Sequence, residues 1–477
     1  MNKRLFVLLF VLIVAGGFAL RLSLIEVRPL HHDEGVNGHF AAQILNGNGW
    51  RYNPENYHGP LPFYLIALAF AIFGENVFSL RIMHVLFGSI MPLLLLPFKK
   101  KLGDKGTLFA AFLLSFSPSL FYYSMDAIHE IFFAFFILAS IVFLFSSLEN
   151  GNKLFLYAGV ASLASLFTVK EGAFLVAPAI LLLFLLFLNS KRKSRKESIL
   201  DNANTIIICL VVFFVIFILF FSSFFANIQG IADAFKAPLL WSEKMTGQSG
   251  HEKHELYYLE IVAFSDLPVL LLGLLGAFIA LRRKNGTMLA IFAFFILLFI
   301  GASIPKYKVP WGVINFIPPL ALLAGYFIES IARKVKNLEL FYSLLAIVMV
   351  FVFWQAIFLS AFKSASQENK LAYVQTTNEA KQIVERIETL QNARHIKVAI
   401  INKQSVWPLP WWLKRFNVSY YNAETISEFD VSAYDVVLIE AAYSHKVKNT
   451  SNFEKVRFAL RPGLAMDVFF RREVMSS

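Results

Sequence analysis

The chain has 477 residues, of which 57% are hydrophobic and only 16% are charged. Many apolar runs approach the roughly 20 residues that cross a bilayer, so the composition excludes an ordinary soluble protein and predicts a polytopic membrane protein. The net charge of +12 does not indicate nucleic-acid binding, because the basic residues lie in short clusters between apolar runs, as the positive-inside rule predicts. The single cysteine, Cys209, excludes an internal disulfide.

The first apolar run, Leu5–Ile25, follows Lys3 and Arg4. It is longer than the core of a signal peptide and lacks a small-residue cleavage site at its end. We therefore predict a transmembrane anchor whose N-terminus is cytoplasmic. Arg21 is expected to extend its side chain toward the far interface.

A long polar loop, Leu30–Leu65, comes next. It contains His31, His32, His39, His58, Asp33 and Glu34, together with several aromatic residues. Loops of this length are uncommon unless they are functional or disordered, and the aromatic content argues against disorder. We predict that this loop forms one wall of an active site. Asp33 would be a general base or a metal ligand, and the structural alternative is that it caps a short helix over Gly35–Leu45.

The run Leu61–Phe73 is only about 13 residues long, which is too short to span, so it is expected to lie in the outer interface as a juxtamembrane helix. Together with the first run, the remaining apolar runs then alternate in about eleven crossings. This arrangement places every basic cluster in the cytoplasm: Lys3-Arg4, Lys99-Lys100-Lys101, Lys191-Arg192-Lys193, Arg282-Arg283-Lys284 and Arg333-Lys334. It also places the unusual polar loops on one outer side: Ser124–Glu130, Lys170–Glu171, Asn227–Asp266 and Pro305–Pro310.

These outer loops supply the other candidate residues. His129 and Glu130 stand at the start of an apolar run, where ionisable residues are costly and therefore indicate function, although a solvated pair at a helix end is the alternative. Lys306 and Lys308 lie outside against the usual charge bias, which favours binding of an anionic phosphate. Lys170 is a further candidate for that phosphate, unless it pairs with Glu171 at the surface.

The loop around His254 reads HEKHELYYLE, and His251 and His254 are three residues apart, not the four that a zinc-protease helix requires. His254 is therefore kept only as a residue that positions a donor or a metal, and an ordinary loop histidine is the alternative.

The composition changes after Phe362. Apolar runs shorten to strand length at Lys397–Ile401 and Val436–Ile439, and Asn378–Leu390 reads as a charged helix. We predict a small α/β domain at 363–477 on the outer side, separate from a transmembrane domain at 1–362 whose first outer loop runs from about 26 to 81.

Six blocks of sequence, in order, resemble a known superfamily. They are DEGVNGHFAAQIL with HGPLPFYLIALAF, then SPSLFYYSMDAIHE, LFTVKEGAFL, HELYYLE, KYKVPWGVINFIPPLALLAG, and YVQTT with WPLPWWLKRF. This pattern is similar to the GT-C glycosyltransferases, in particular protein O-mannosyltransferases and aminoarabinose transferases. The last block is closer to the flippase-associated archaeal and bacterial members. Met125 stands where the family usually has an arginine, and His58-Gly59-Pro60 departs from the family's entry to its PPL motif.

The resemblance implies a polytopic α-helical GT-C fold with a small outer domain. It implies an inverting hexosyl or pentosyl transferase at the plasma membrane, which moves a sugar from a polyprenyl phosphate to an acceptor hydroxyl on a glycan, lipid or protein. Asp33 would be the catalytic carboxylate, assisted by Glu34, and Glu130 would be the acid of the second loop. Lys306, Lys308 and Lys170 would bind the donor phosphate.

In this scheme Glu130, His129, His58 and His254 would position the donor or a divalent Mg²⁺ or Mn²⁺ ion, for which Asp33, Glu34 and Glu130 are the candidate ligands. A non-catalytic alternative remains open. The same outer cavity can belong to a component that translocates lipid-linked glycans, in which case the carboxylates would serve binding or proton coupling.

Overall fold

The computed structural model describes residues 1–47, 50–55, 58–192, 202–246, 250–393 and 395–475. Lys193, of one basic cluster, lies outside these ranges. The chain forms two compact units: Met1–Ile25 with Gln43–Phe362, and Glu26–Ala42 with Lys363–Ser477. The second unit therefore includes the start of the polar loop, which the sequence assigned to the transmembrane domain. Asp33 belongs to this second unit.

The first unit, called the helical unit below, is almost entirely helical. Its helices are Lys3–Leu24, Leu61–Phe73, Val77–Ile90, Lys99–Phe116, Pro118–Tyr123, Glu130–Asn150, Lys153–Val169, Ala173–Arg192, Ala203–Phe221, Gln229–Thr246, Tyr257–Ser265, Leu267–Arg282, Gly286–Ser303, Ile317–Ala332 and Leu338–Ile357. Short 3₁₀ segments at Met91–Phe98 and Pro310–Asn315 and a π turn at Phe358–Phe362 complete it.

Seven helices in the described ranges are long and apolar enough to cross a membrane, or eight if the bent pair Tyr257–Ser265 and Leu267–Arg282 is one span. This is fewer than the eleven expected, for two physical reasons. The run Val77–Phe116 is continuous, although Gly103 breaks its helical geometry at a φ of 73°. The apolar helix Lys153–Val169, with 17 residues, falls below full spanning length. The number of crossings therefore remains a prediction, whereas the multi-pass membrane class is confirmed.

Arg21 corrects one expectation. Its side chain is fully buried and does not extend to an interface. Nε donates to Ser124 Oγ at 2.6 Å, Nη1 donates to the carbonyl of Gly17 at 3.1 Å, and the guanidinium lies 4.7 Å from the centroid of the Phe121 ring. Protein groups thus take the place of the solvating interface.

The second unit, called the sheet unit below, contains the predicted α/β domain. Its strands are β1 (Lys397–Asn402), β2 (Asn417–Asn422), β3 (Phe429–Asp430), β4 (Val436–Glu440), β5 (Val447–Lys448), β6 (Phe453–Arg461) and β7 (Leu464–Arg471). Its helices are His32–Leu45, which continues beyond the unit at Ala42, and Asn378–Ala393, Leu409–Trp412 and Arg472–Met475. The two strands and the charged helix expected from the sequence are confirmed to within a few residues.

The main sheet has the order β2-β1-β4-β7-β6. The strands β2, β1 and β4 are parallel, and β7 and β6 add an antiparallel hairpin. The two faces of β1 and β4 are covered by separate apolar clusters, which is why both strands read as continuous apolar runs. The carboxyl ends of the three parallel strands meet at one edge, and the loop after β1 begins there.

The topology that the sequence predicts can be tested by labelling. In a Cys209→Ala background, a cysteine at exposed Ser432 should react with an impermeant maleimide in whole cells, because the sheet unit is predicted to be outside. A cysteine at exposed Lys336, beside the basic cluster Arg333-Lys334, should react only after the cells are permeabilised. The reverse pattern would invert the topology.

Candidate active site

The helix His32–Leu45, called the Asp33 helix below, begins with a reciprocal cap. Its N3 residue, Glu34, is fully buried and accepts a hydrogen bond from the backbone N–H of His31 at 2.8 Å. In return, His31 Nδ1 accepts from the backbone N–H of Asp33 at 3.1 Å. This is a variant of the capping box, in which histidine takes the place of the usual serine or threonine and accepts from the N2 and not the N3 backbone N–H. Glu34 therefore has a structural contact, and the helix starts before Asp33 and not after it.

Asp33 differs from Glu34 in exposure. Its side chain is 28% exposed, and Oδ1 lies 2.9 Å from His32 Nδ1. A carboxylate at the second position of a helix also meets the partial positive charge of the free N–H groups there. The local sequence thus gives Asp33 a fixed orientation while leaving it partly open to a reactant.

The Asp33 helix packs closely against the segment Trp407–Trp411 of its own unit. A Cβ at Gly35 would lie 2.8 Å from Pro408 Cβ, and one at Gly38 would lie 2.9 Å from Trp411 Cδ1. Both separations are too short, so this helix face requires glycine at both positions. On the same side, the rings of His39 and Trp407 are 5.7 Å apart, and burial, together with the charge of Lys414, lowers the pKa of His39.

A second group of functional side chains lies in the helical unit. Lys170 Nζ is 2.6 Å from Glu130 Oε1, and Asn315 Nδ2 lies 3.5 Å from the same oxygen. Glu130 and Asn315 are both buried. Lys170 therefore pairs with Glu130. The structural alternative, a surface pair between Lys170 and its neighbour Glu171, is wrong.

Glu171 pairs instead with His58, whose Nδ1 is 2.8 Å from Oε2 of that carboxylate. The His58 ring stacks on Trp241 at 4.8 Å and meets His129 edge-on at 4.9 Å. Burial, reinforced by the nearby His58, His84 and Lys170, lowers the pKa of His129 well below its usual value. Within the described part of the chain, its Nε2 atom has no hydrogen-bond partner.

The third group is a short antiparallel ladder between two loops of the helical unit. Glu252 pairs with Tyr307, the N–H of Lys253 donates to the carbonyl of Lys306 at 2.9 Å, and that of Lys308 donates to the carbonyl of His251 at 3.1 Å. This register sets Lys253 opposite Lys306. The Tyr307 ring also lies 6.4 Å from that of Trp241, which connects the ladder to the second group.

The three lysines expected at the phosphate have different surroundings. Lys308 is buried, and its ammonium donates to the carbonyls of Lys253 at 3.2 Å and Pro305 at 2.5 Å. Burial lowers its pKa, although the charge of Glu255 opposes that effect. Lys170 is held by Glu130, as described above. The side chain of Lys306 is exposed.

The structure thus brings Asp33 and Glu34 together in the sheet unit. In the helical unit it brings together side chains from five loops around Trp241, including His58, His129, Glu130 and Lys170. His254 is more peripheral, and half of its side chain is exposed beside Glu260 at 3.5 Å. Among the described residues, no group of three or more His, Cys, Asp or Glu side chains could hold a metal ion. The divalent ion therefore remains a prediction, and no step below is assigned to it.

Several residues were not identified from the sequence as site residues: Glu171, Trp241, Asn315, Lys253, and Ser405, whose Oγ lies 2.9 Å from His32 Nε2. Glu171 directly follows Lys170, and Lys253 directly precedes His254. Their proximity to residues already named as candidates was a sequence signal that could have identified them. Trp241, Asn315 and Ser405 come from segments distant in sequence, where no spacing pattern points to them.

Comparison with known proteins shows which proteins this chain resembles. Residues 57–218 match a family model described as dolichyl-phosphate-mannose-protein mannosyltransferase. A protein of Aquifex aeolicus (strain VF5), described as an uncharacterized protein, is 26% identical over 311 residues, which are 64% of this chain and 59% of that relative. The match therefore spans less than two thirds of the relative's length.

Solved structures align over nearly the whole chain. ArnT from Cupriavidus metallidurans bound to undecaprenyl phosphate has a TM-score of 0.67 and 14% identity, with 98% of both chains covered. The archaeal oligosaccharyltransferase AglB from Archaeoglobus fulgidus, in complex with an inhibitory peptide and a dolichol-phosphate, has a TM-score of 0.58 and 11% identity, with 96% of this chain and 74% of that one covered. The chain thus shares the fold of these solved structures, as the resemblance to the GT-C glycosyltransferases predicted.

The cap of the Asp33 helix gives a first prediction about the site. Replacing Glu34 with alanine leaves the buried N–H of His31 without its acceptor, which costs about 1–3 kcal/mol of local stability. Amide hydrogen exchange over residues 31–35 should then accelerate by roughly 5- to 150-fold. In the matched control Glu34→Gln, the amide oxygen still accepts the bond, so exchange should stay near the wild-type rate. Equal exchange in the wild type and Glu34→Ala would show that the cap does not hold the helix start.

Proposed function

We propose that this protein transfers a sugar from a polyprenyl-phosphate donor to the hydroxyl group of an acceptor at the extracytoplasmic face of the plasma membrane. The GT-C fold supports this proposal, as do the lipid phosphates bound by ArnT and AglB and the match to a mannosyltransferase model. The acceptor is a glycan, a lipid or a protein that bears a hydroxyl group.

The observation that carries the proposal is the setting of Asp33. Its carboxylate is partly exposed, is oriented by His32 at 2.9 Å, and stands at the start of a capped helix. A general base must reach the acceptor hydroxyl and must also be held in one geometry, and Asp33 meets both requirements. Glu34, next to it in sequence, is buried and engaged in the cap.

The chemistry is a single displacement. Asp33 takes the proton of the acceptor hydroxyl while the oxygen of that hydroxyl attacks the anomeric carbon of the donor. The bond between that carbon and the phosphate oxygen breaks, and polyprenyl phosphate leaves with the electron pair. Attack opposite the leaving group inverts the anomeric configuration. Cations near the departing phosphate stabilise the charge that develops on it.

Lys306 is the first choice among the lysines for that phosphate, because its side chain is exposed whereas those of Lys308 and Lys170 are engaged with protein oxygens. Its position opposite Lys253 supports the assignment. Like charges directly opposite each other on paired strands are destabilising, and a bound dianion relieves that repulsion. In this scheme Lys308 supports Lys306 by joining the two loops, since its ammonium donates to carbonyls on both of them.

The ion pairs around Trp241 supply the remaining contacts to the donor. The carboxylates of Glu130, paired with Lys170, and of Glu171, hydrogen-bonded to His58, accept hydrogen bonds from sugar hydroxyl groups. His58 and Lys170 hold these carboxylates, and the His129 ring packs against that of His58. His254 lies at the edge of the site, with half of its side chain exposed.

The role of Asp33 predicts the effect of one substitution. Asp33→Asn keeps the size of the side chain but cannot accept the proton, so turnover should fall by about 10²- to 10⁴-fold, with little change in the affinity for undecaprenyl phosphate. The measurement is sugar transfer by purified protein from a polyprenyl-phosphate sugar. The control is Asp430→Asn in the same unit, where the exposed carboxylate caps a short turn and asparagine caps equally well. Full turnover in folded Asp33→Asn protein would remove Asp33 from the chemistry.

The role of Lys306 predicts a binding defect. Loss of one charge-assisted contact costs about 1.5–3 kcal/mol, so Lys306→Gln should weaken the binding of undecaprenyl phosphate roughly 10- to 100-fold. Lys306→Arg should retain most of the affinity because it keeps the charge. Lys334→Gln, in an exposed cytoplasmic cluster, is the control and should bind normally. Unchanged affinity in Lys306→Gln would place the phosphate elsewhere.

A further inference from the structure

A chain of hydrogen bonds leads from Asp33 into the sheet unit. Asp33 Oδ1 lies 2.9 Å from His32 Nδ1, and His32 Nε2 lies 2.9 Å from Ser405 Oγ. The two residues are 373 positions apart in sequence, so the second contact comes from the tertiary fold and not from local geometry. Both nitrogens of the imidazole are therefore engaged, one by the carboxylate and one by the hydroxyl.

The direction of these bonds follows from the chemistry of the groups. An ionised carboxylate can only accept, so His32 Nδ1 must carry a hydrogen and donate it to Asp33. In the neutral imidazole Nε2 is then an acceptor, and the hydroxyl of Ser405 donates to it. The carboxylate thus selects the tautomer in which His32 donates to it, Ser405 occupies the other ring nitrogen, and the imidazole limits the rotation of the Asp33 side chain.

The framework around Ser405 fixes its position. The residue lies in the loop after β1, at the carboxyl edge of the parallel strands. Two backbone N–H groups of this loop, from Lys403 at 2.6 Å and from Gln404, donate to Glu440 Oε1 at the end of β4. Arg461 Nη2 donates to the carbonyl of Ser405 itself at 2.6 Å. The position of the Ser405 hydroxyl, which is hydrogen-bonded to His32, is therefore fixed by contacts with the sheet.

The order of groups, Asp33, His32 and Ser405, resembles the triad of a serine hydrolase, but the surroundings do not support that chemistry. A hydrolase needs backbone N–H groups near the serine that are directed at the developing oxyanion. The N–H groups of Lys403 and Gln404, the two residues before Ser405, are already bonded to Glu440. The hydrogen-bond chain is better explained as a support for the carboxylate.

We propose that His32 and Ser405 are positioning residues for Asp33, so that the C-terminal part of the chain orients the base of the transfer reaction. This inference rests on the proposed function, in which Asp33 is that base. It gives the sheet unit a role in the reaction itself. Neither residue contacts the substrate in this scheme. Both act through the carboxylate, which they hold in the orientation that accepts the acceptor proton.

The test compares graded variants of the full-length protein in the transfer assay. His32→Ala removes both bonds and should lower kcat about 10- to 100-fold, the usual cost of misplacing a catalytic group, while KM for the donor changes less than about twofold. His32→Asn keeps an N–H in reach of Asp33 and should recover part of the lost kcat. Ser405→Ala removes only the outer bond and should cost about two- to tenfold. His445→Ala, at an exposed histidine of the same unit, is the control and should be unaffected.

The structural readout is independent of activity. In protein labelled with ¹⁵N-histidine, the His32 signal, assigned by its loss in His32→Asn, should report the tautomer with hydrogen on Nδ1 and should change in Ser405→Ala. Wild-type kcat in folded His32→Ala, or no recovery in His32→Asn, would overturn the proposal, as would the opposite tautomer. If His32→Ala does not fold, Ser405→Ala decides the matter alone, because an exposed hydroxyl has little packing to lose. Absence of transfer by the wild type, with the predicted tautomer present, would refute the proposed function and leave the contact intact.

Discussion

The close packing of one helix face on an aromatic segment determines where the candidate base stands. Gly35 and Gly38 are three positions apart, so they lie on the same face of the Asp33 helix, where Pro408 and Trp411 leave no room for a Cβ. The same contact brings His32 to Ser405 and His39 to Trp407. Because the helix is also capped at its first turn, the direction of the Asp33 side chain follows from the packing. A side chain larger than hydrogen at either glycine would move the helix, and the carboxylate with it.

The group around Trp241 in the helical unit illustrates how a membrane protein keeps charge away from lipid. Glu130 is paired with the ammonium of Lys170, and Glu171 is hydrogen-bonded to His58, whose ring stacks on Trp241. Such pairing offsets the cost of burying a charge, which is several kcal/mol when no partner is present. A group of this kind recognises polar ligands through its oxygens and nitrogens without carrying a large net charge.

The parts of this account that could be predicted from the sequence are those with a local signal. The strands Lys397–Asn402 and Val436–Glu440 read as apolar runs, and Leu61–Phe73 was identified from its length and its flanking residues. The candidate residues Asp33 and Glu130 could be named because their types are unusual beside apolar runs. The residues that pair with them could not be named from the sequence. Lys170 pairs with Glu130, 40 positions away, in preference to its neighbour. Inside the protein, Arg21 Nε donates to Ser124, 103 positions away.

The start of the Asp33 helix was misplaced because histidine is not a usual N-cap residue, so the capping box of His31 and Glu34 carried no recognisable sequence pattern. The membership of Glu26–Ala42 in the sheet unit was missed for a related reason. This membership depends on the complementary shapes of two segments that are far apart in sequence. Gly35 and Gly38 face the segment Trp407–Trp411. Composition and periodicity contain no information about such complementarity.

The central claim is that the sugar leaves its lipid during the reaction. The most direct measurement follows a polyprenyl-phosphate sugar, labelled in both the lipid and the sugar, in proteoliposomes that contain the purified protein and an acceptor extract. The account predicts that free polyprenyl phosphate appears in a one-to-one ratio with sugar attached to acceptor. Movement of the intact donor between leaflets, with no polyprenyl phosphate released, would contradict it and would identify a translocator.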